Sequence, residues 1–378
     1  MVTILDRYIV RLFAKVLVLS FISLTGVFII FDAFSNIDEF LAYGETQGGV
    51  LRVLADYYGA RVLWFFDRIT GILALMAAVF AVTTLQKSNE LTAIMAGGIS
   101  RARVARPIIM AAILVAVAGM VNREMLIPLV RHKLTRNAQD WLGDTAKPLN
   151  PRYDNQTDIL FSGRHTIAKE AKIDRPSLRL PGELNQFGRQ LIAAAAYYQA
   201  ANDARPGGYL LEGVEKPADI SQIPSAGVNG KLIILSPKDT PWLQADQCFV
   251  VSDLDFEGLN ANSQWQQFSS TSELIAGLQN TSLDYGADAR VMVHARFVQP
   301  FLDLSLMMIG LPLMIARDSR HIFVAFGYCL GIVASFFLVV LTCHGLGANY
   351  LLSPAFAAWC PLLILSPCAV ASSKSLWE

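Results

Sequence analysis

The sequence predicts a membrane α-helical protein of six transmembrane helices with an inserted all-β, jelly-roll-like domain. Three observations predict it. Apolar runs occupy residues 8–128 and 297–373, too long and too free of charge to be soluble core helices. Between them lies a polar stretch with turn glycines and prolines and a two-residue alternation. The composition agrees: 53% of residues are hydrophobic and 16% charged, against roughly 25% charged in soluble domains. The expected domains are residues 1–128 with three spans, 129–296 with the β domain and its linking helices, and 297–378 with three more spans.

A bilayer core of about 30 Å needs about 20 mostly apolar residues as helix. The first span covers residues 12–34 and takes in Lys15 and Asp32 near its ends. No small-residue cleavage site follows its apolar stretch, so it is expected to be an uncleaved span rather than a signal peptide. Residues 69–86 form the second span, and 107–122, lengthened by 125–129, the third. The fourth, 297–316, is interrupted by one charge, Asp303. The fifth, 322–343, is uncharged throughout, and the sixth starts at Ser353-Pro354, which reads as a helix start.

Basic residues set the expected orientation. With the amino terminus inside, the inner segments hold Arg7, Arg11 and Lys15, then Lys87, Arg101, Arg103 and Arg106, then Arg317 and Arg320, and finally Lys374. The loop between the first two spans leans acidic, with Asp38, Glu39, Glu45 and Asp56 against Arg52 and Arg61. This positive-inside asymmetry places both termini in the cytoplasm and the polar domain outside, which in a Gram-negative cell means the periplasm.

Within the polar domain, residues 159–162, 165–173, 190–199, 208–215, 230–235 and 247–253 read as short strands. Turn signals such as Arg205-Pro206-Gly207-Gly208 and Asn229-Gly230 separate them, which favours an antiparallel sandwich or jelly roll over βαβ units. Residues 272–278 read as a short helix and 285–296 as the helix leading back to the membrane. The domain carries no nucleophile motif, paired catalytic carboxylates or histidine cluster, so a binding or conduit role is expected rather than catalysis. Formal net charge is +0, so no basic stripe for nucleic acid is present. Of five cysteines only Cys248 lies in the polar domain, which leaves it without an internal disulfide. No cysteine or histidine pair has metal-ligand spacing, and no metal or cofactor is expected.

Three segments together give the chain its resemblance. The first is Leu5-Asp6-Arg7-Tyr8-Ile9-Val10-Arg11, leading straight into a span. The second is Glu90-Leu91-Thr92-Ala93-Ile94-Met95-Ala96-Gly97-Gly98-Ile99-Ser100, followed by Arg106-Pro107. The third is Arg296-Phe297-Val298-Gln299-Pro300, with Leu311-Pro312-Leu313 and Ala358-Trp359-Cys360-Pro361 further on. In these the chain resembles the lipopolysaccharide-export permease family (LptF/LptG, also YjgP/YjgQ) along its whole length. Residues 31–32 and 37–40 lean slightly to the LptG side.

The resemblance implies a permease subunit that extracts lipopolysaccharide from the inner membrane. It implies, as partners, cytoplasmic ATPase subunits, a second permease subunit (paralogue or self) and a periplasmic β-domain bridge. The chain itself has no Gly-x-x-x-x-Gly-Lys-Ser/Thr loop, residues 227–232 failing the pattern, so ATP hydrolysis belongs to a separate chain. Another ABC-type lipid or lipoprotein exporter is the nearest alternative, and a membrane-anchored periplasmic binding or sensor protein a more distant one.

The resemblance implies that residues 87–98 correspond to the family's coupling helix, with Glu90, Leu91, Ile94, Met95 and Gly97 as expected ATPase-coupling residues. On the residues alone, Leu91, Ile94 and Met95 share a helical face, Glu90 and Lys87 stay wet, Gly97-Gly98 stops the helix and Ser100 can cap the next. Such a helix could equally lie in the membrane interface. A buried carboxylate needs a partner, so Asp303 is expected to pair with Arg68 near the outer end of span two, or else to serve the substrate cavity. Arg131, Lys133 and Arg136, beyond the third span, stand where a phosphorylated lipid head would sit. They are the candidate substrate-binding cations, or a solvated helix face. Family members also carry basic residues late in span one, where this chain has Asp32, Asp38 and Glu39 instead.

Overall fold

A computed structural model describes residues 4–46, 48–141, 146–202, 205–228, 231–259, 263–279, 286–316 and 322–374. The expected turn at Asn229-Gly230, the first residue of the expected 285–296 helix, and Arg317 and Arg320 lie outside the described residues. The helices in chain order are α1 (Ile4–Ser35), α2 (Ile37–Thr46), α3 (Val50–Lys87), α4 (Glu90–Ala96), α5 (Arg101–Val121) and α6 (Ile127–Leu134), with a π-helical turn at Asn122–Leu126 joining the last two. After the strands come α7 (Phe256–Leu259), α8 (Ser263–Phe268), α9 (Thr271–Gln279), α10 (Ala287–Ala316), α11 (Ile322–Ala348) and α12 (Pro354–Ser373). The chain forms two compact units: Met1–Leu134, Phe268–Leu274 and Tyr285–Glu378 in one, Thr135–Gln267 and Ile275–Asp284 in the other.

The first unit is helical, and among the described residues 6 of its helices are long and apolar enough to cross a membrane. Its centre is α3, against which α1, α5, α10 and α11 all pack. Small residues make this possible: Ala74, Ala77, Ala78 and Ala81 of α3 are buried, letting neighbouring backbones come close. Gly310 of α10 sits directly against the Leu75 side chain, and a Cβ there would overlap it. The core continues through Phe13 of α1, Ile108 of α5 and Leu302, Leu306 and Leu311 of α10. Pro300, Pro312, Pro361 and Pro367 lie inside α10 and α12. Membrane helices tolerate them because neighbouring groups satisfy the freed backbone.

Several details follow the sequence closely. Gly98 takes a positive φ of 82° after α4, Ser100 Oγ accepts the Arg103 amide at 3.4 Å to cap α5, and Ser353 stands at the N-cap position of α12, without a side-chain cap bond, with Pro354 in the first turn. The segment between spans one and two differs from expectation. It is almost wholly helical, because Asp38 and Glu39 favour the positive end of α2 and Phe40 seats its ring 4.9 Å from Tyr57 of α3. Gly44 allows the return, since a Cβ would lie 2.9 Å from the Val50 amide nitrogen.

Among the described residues, the second unit holds one connected, 11-stranded, wholly antiparallel sheet. Its strands are β1 (Lys147–Pro148), β2 (Arg152–Asp154), β3 (Ile159–Ser162), β4 (His165–Ile167), β5 (Lys172–Asp174), β6 (Ser177–Arg179), β7 (Gln190–Gln199), β8 (Gly208–Lys216), β9 (Ala226–Val228), β10 (Lys231–Leu235) and β11 (Cys248–Val251). β7 organises it: one edge pairs with β8 along its length, while the other pairs first with β6 and then with β5. The sheet therefore forks into a β6–β3–β2 branch and a β5–β4–β1 branch. Alternation fills the core with Ile159, Phe161, Ile173, Leu178, Leu191, Tyr209, Leu211 and Val250. The run at 165–173, expected as one strand, is two joined by a 3₁₀ turn, because Ala171 adopts a left-handed φ of 48° that ends the first and starts the second.

Asp154, fully buried, was not anticipated. Its carboxylate accepts the amides of Gln156 (2.9 Å) and Thr157 (3.3 Å) and the Ser252 hydroxyl (2.7 Å), tying the β2 turn to the end of β11. Burial pushes the Cys248 thiol up to about 12, which makes it an inert core side chain.

Candidate functional site

Five helices, α1, α3, α4, α5 and α10, are bonded together at one end of the helical unit. Tyr8 of α1 donates its hydroxyl to Glu90 Oε2 at 2.6 Å, and Asp6 pairs with Arg103 of α5 at 3.0 Å. Gln86, at the end of α3, donates to the Met314 carbonyl of α10 at 3.0 Å. α4 is thus clamped by α1 and continuous with α3 through a tight left-handed turn at Asn89 (φ 58°). Leu91 is buried in the bundle core, and Ile94 and Met95 pack against it. Thr92, Ala93, Ala96, Gly97 and Gly98 are the exposed residues.

The α4 residues divide between two faces. The amphipathic face of Leu91, Ile94 and Met95 is spent on the protein's own core. The opposite, small-residue face is exposed, and Gly97 is the one expected coupling residue on it. The sequence pattern alone gave the face but not its occupant, because an apolar stripe suits the chain's own bundle as well as a foreign groove.

A belt of charge lies at the other end of the helical unit. Asp67 of α3 bonds Arg123 of the π turn at 2.8 Å, both side chains less than one-fifth exposed. Asn122, beside it, donates to the Leu63 carbonyl of α3 at 2.8 Å. Glu124 accepts from the Thr271 amide (2.8 Å) and hydroxyl (2.6 Å) at the start of α9 and lies 3.9 Å from Arg296 of α10, which in turn donates to the Ser269 carbonyl at 2.6 Å. Ser270 and Glu273 form a reciprocal cap on α9, the Glu273 carboxylate accepting the Ser270 amide at 2.8 Å and the Ser270 hydroxyl the Glu273 amide at 3.2 Å. The π turn matters here. One extra residue in the turn rotates successive side chains, sending Arg123 to α3 and Glu124 to α9 from adjacent positions.

Asp303 stands in this belt without Arg68. Its Oδ1 accepts from Gln299, one turn earlier on α10, at 2.9 Å, and Gly71 of α3 lies so close that a Cβ would come within 2.5 Å of that oxygen. Arg68 is exposed, and the nearby charges acting on Asp303 are Arg123 and Asp67. Neighbouring residues on α3 point about 100° apart, so with Asp67 turned inward Arg68 turns out. The expected Asp303–Arg68 ion pair is therefore replaced by a Gln299 bond beside an Asp67–Arg123 pair.

The three candidate head-group cations are each engaged. Arg131 pairs with Glu273 at 2.9 Å, Lys133 with Asp56 of α3, and Arg136 donates to the Trp141 carbonyl at 3.2 Å. The residues that sequence reasoning passed over are Asp67, Arg123, Glu124, Thr271 and Glu273, while Arg296 entered only through the family resemblance. One signal could have found them: Arg123 and Glu124 interrupt an otherwise apolar run, and Asp67 borders another.

Together these features define a polytopic membrane protein whose helical unit is interrupted by an antiparallel β unit, clamped at one end through a short helix and belted with charge at the other. The chain matches the model of the family described as lipopolysaccharide export system permease LptF/LptG over residues 7–167 and 230–374, and it belongs to that family. Membership makes it a permease component of lipopolysaccharide export and a multi-pass inner-membrane protein, a transporter part rather than a catalyst. No curated protein matches the chain closely enough to count as a relative.

Proposed function

We propose that this permease extracts lipopolysaccharide from the outer leaflet of the inner membrane under the power of separate ATPase chains. The second permease subunit, paralogue or self, completes the cavity, and the β unit hands the lipid to a periplasmic bridge of similar fold. Both termini and α4 face the cytoplasm, the β unit the periplasm. Residues 1–128 and 297–378 form the membrane part and 129–296 the periplasmic part in this reading. Basic residues on the α4 side of the apolar runs support that orientation.

The observation that carries the coupling role is the clamp on α4. A seven-residue helix is too short to hold its own shape in water, yet Tyr8, the Leu91 contact and the Asn89 turn fix it rigidly to the ends of α1 and α3. Movement imposed on α4 is therefore passed directly to two spans. Its outward face of Thr92, Ala93, Ala96 and Gly97 suits close docking of a partner backbone, because small side chains permit it. Arg131 and Lys133 can hold lipid phosphate only by exchanging Glu273 and Asp56 for it, which makes them responsive contacts rather than standing anion sites.

The test is Ala93→Arg in a complex reconstituted with its ATPase chains. Loss of roughly 1.4 kcal/mol of docking energy to the clash should lower lipid-stimulated ATP hydrolysis about tenfold at limiting ATPase concentration. The spans should remain folded. Unchanged hydrolysis would refute coupling through this face, and mass spectrometry of co-purified lipid separates lipopolysaccharide from another lipid cargo.

A further inference from the structure

Two thiols meet between α11 and α12. Cys343 is buried and Cys360 half-buried, both are free, and each lies within the other's electrostatic reach. The register of the helix pair explains the meeting. α11 and α12 are joined by the short connection at residues 349–353 and pack against each other. Next to that connection Gly347 faces Ala357, so closely that a Cβ on the glycine would overlap the alanine Cβ. One helical turn further along, four residues back on α11 and three forward on α12, stand Cys343 and Cys360. The Gly347–Ala357 contact draws the two backbones together, and cysteines can be bridged where their Cα atoms lie about 4.4–6.8 Å apart. Among the described residues no group of three or more His, Cys, Asp or Glu could hold a metal ion, so metal ligation does not compete for the pair.

We propose that Cys343 and Cys360 are a redox site, closed to a disulfide by a small apolar disulfide and reopened by a dithiol. The chemistry balances without any other reactant. Cys360, the more accessible, loses its proton and attacks one sulfur of the oxidant, expelling the first half as a thiol and keeping the second as a mixed disulfide. Cys343 then gives up its proton and attacks the Cys360 sulfur, forming the S–S bond and expelling the second half. Two protein thiols become one disulfide, and one oxidant disulfide becomes two thiols. The bond ties α11 to α12, and α11 has only 17% of its spanning window buried within the protein. The site is independent of what the permease transports.

The experiment treats the full-length protein in lipid nanodiscs with 4,4′-dithiodipyridine, then maps peptides by mass spectrometry. The expected product is a linked 343–360 peptide pair, lighter by two hydrogens than the two thiol peptides, with no pyridyl group retained on either. Dithiothreitol should return both thiols to an alkylatable state. Cys343→Ser should instead stop at the mixed disulfide, leaving one pyridyl group on Cys360. A stable pyridyl adduct on Cys360 in the unmutated chain, with Cys343 still alkylatable, would overturn the proposal. So would two thiols that remain unmodified while Cys368, exposed on the same helix, reacts.

Discussion

Helices α1 and α3 are both long and apolar, and by hydropathy alone they are interchangeable. Within the protein they are opposites: 6% of the spanning window of α1 is buried against 67% of that of α3. The difference lies in what lines each helix. α3 carries Ala74, Ala77, Ala78 and Ala81 together with Gly71, so four other helices can approach it. α1 carries Val18, Leu19, Ile22, Val27 and Ile30 on exposed surface, and touches α3 near its far end through aromatic pairs such as Phe28 on Phe65, stacked at 4.8 Å. In lipid there is no hydrophobic gain from burying one apolar side chain against another, so close packing and polar bonds decide which helix becomes the hub. Hydropathy reports that a helix spans, and small residues report where it sits.

The sharpest way to break this comparison is through the polar bond that α3 makes. Arg123→Ala leaves Asp67 without its partner in a site less than one-fifth exposed. Losing one member of a buried pair costs roughly 3–5 kcal/mol, so a large fall in the detergent unfolding midpoint is expected, measured by thermal scanning. Asp67→Asn in the same chain should recover most of it, since no charge then remains uncompensated. A small effect of Arg123→Ala with no recovery would mean that the pair does not anchor α3.

Packing at the hub should come next in size. Leu75 is fully buried beneath Gly310, so Leu75→Ala opens a cavity that rigid helices cannot close. A loss of about 2–4 kcal/mol is expected from comparable core truncations, read by the same unfolding scan. Gly310→Ala approaches the same contact from the other side, and overpacking there should cost about 1–3 kcal/mol. If both changes proved neutral, α3 would not be the tightly packed centre of the bundle.

The spans were legible because length and apolarity are dictated by the bilayer, and all six appear where the expected apolar runs lie. β3 and β7 match their expected ranges residue for residue, since alternation marks a strand with one buried face. β2 and β6 were not legible: three residues such as Arg152–Asp154 are too few to display a period, and Asp154 is held by contacts far along the chain. The belt of charge was half legible. The rule that an intramembrane carboxylate needs a partner directed attention to Asp303. The partner depended on which of Asp67 and Arg68 faces inward on α3, which no local pattern encodes, so Arg68 was paired where Gln299 and the Asp67–Arg123 bond stand. In α4 the amphipathic face was readable, but whether it served the protein's own core or a partner depended on where α1 and α3 end.

The smallest effect should come from α1. Ile22 is 62% exposed and meets few protein atoms, so Ile22→Ala removes contacts chiefly with lipid or detergent. Such a change is expected to shift the protomer's stability by less than about 0.5 kcal/mol, the usual range for surface positions without special contacts. The same substitution becomes informative when the second permease subunit is present. Under the proposed assembly the exposed stripe of Val18, Leu19 and Ile22 either faces that subunit or faces lipid. A branched side chain lost from a subunit interface should raise the dissociation constant several-fold while leaving the isolated protomer unchanged, because only the assembled state contains the contact. Measuring unfolding of the protomer alone and dissociation of the reconstituted complex, on one variant, therefore separates the two readings. A clear fall in protomer stability would overturn the contrast with α3, since it would show α1 held as firmly within the chain as the helix it was set against.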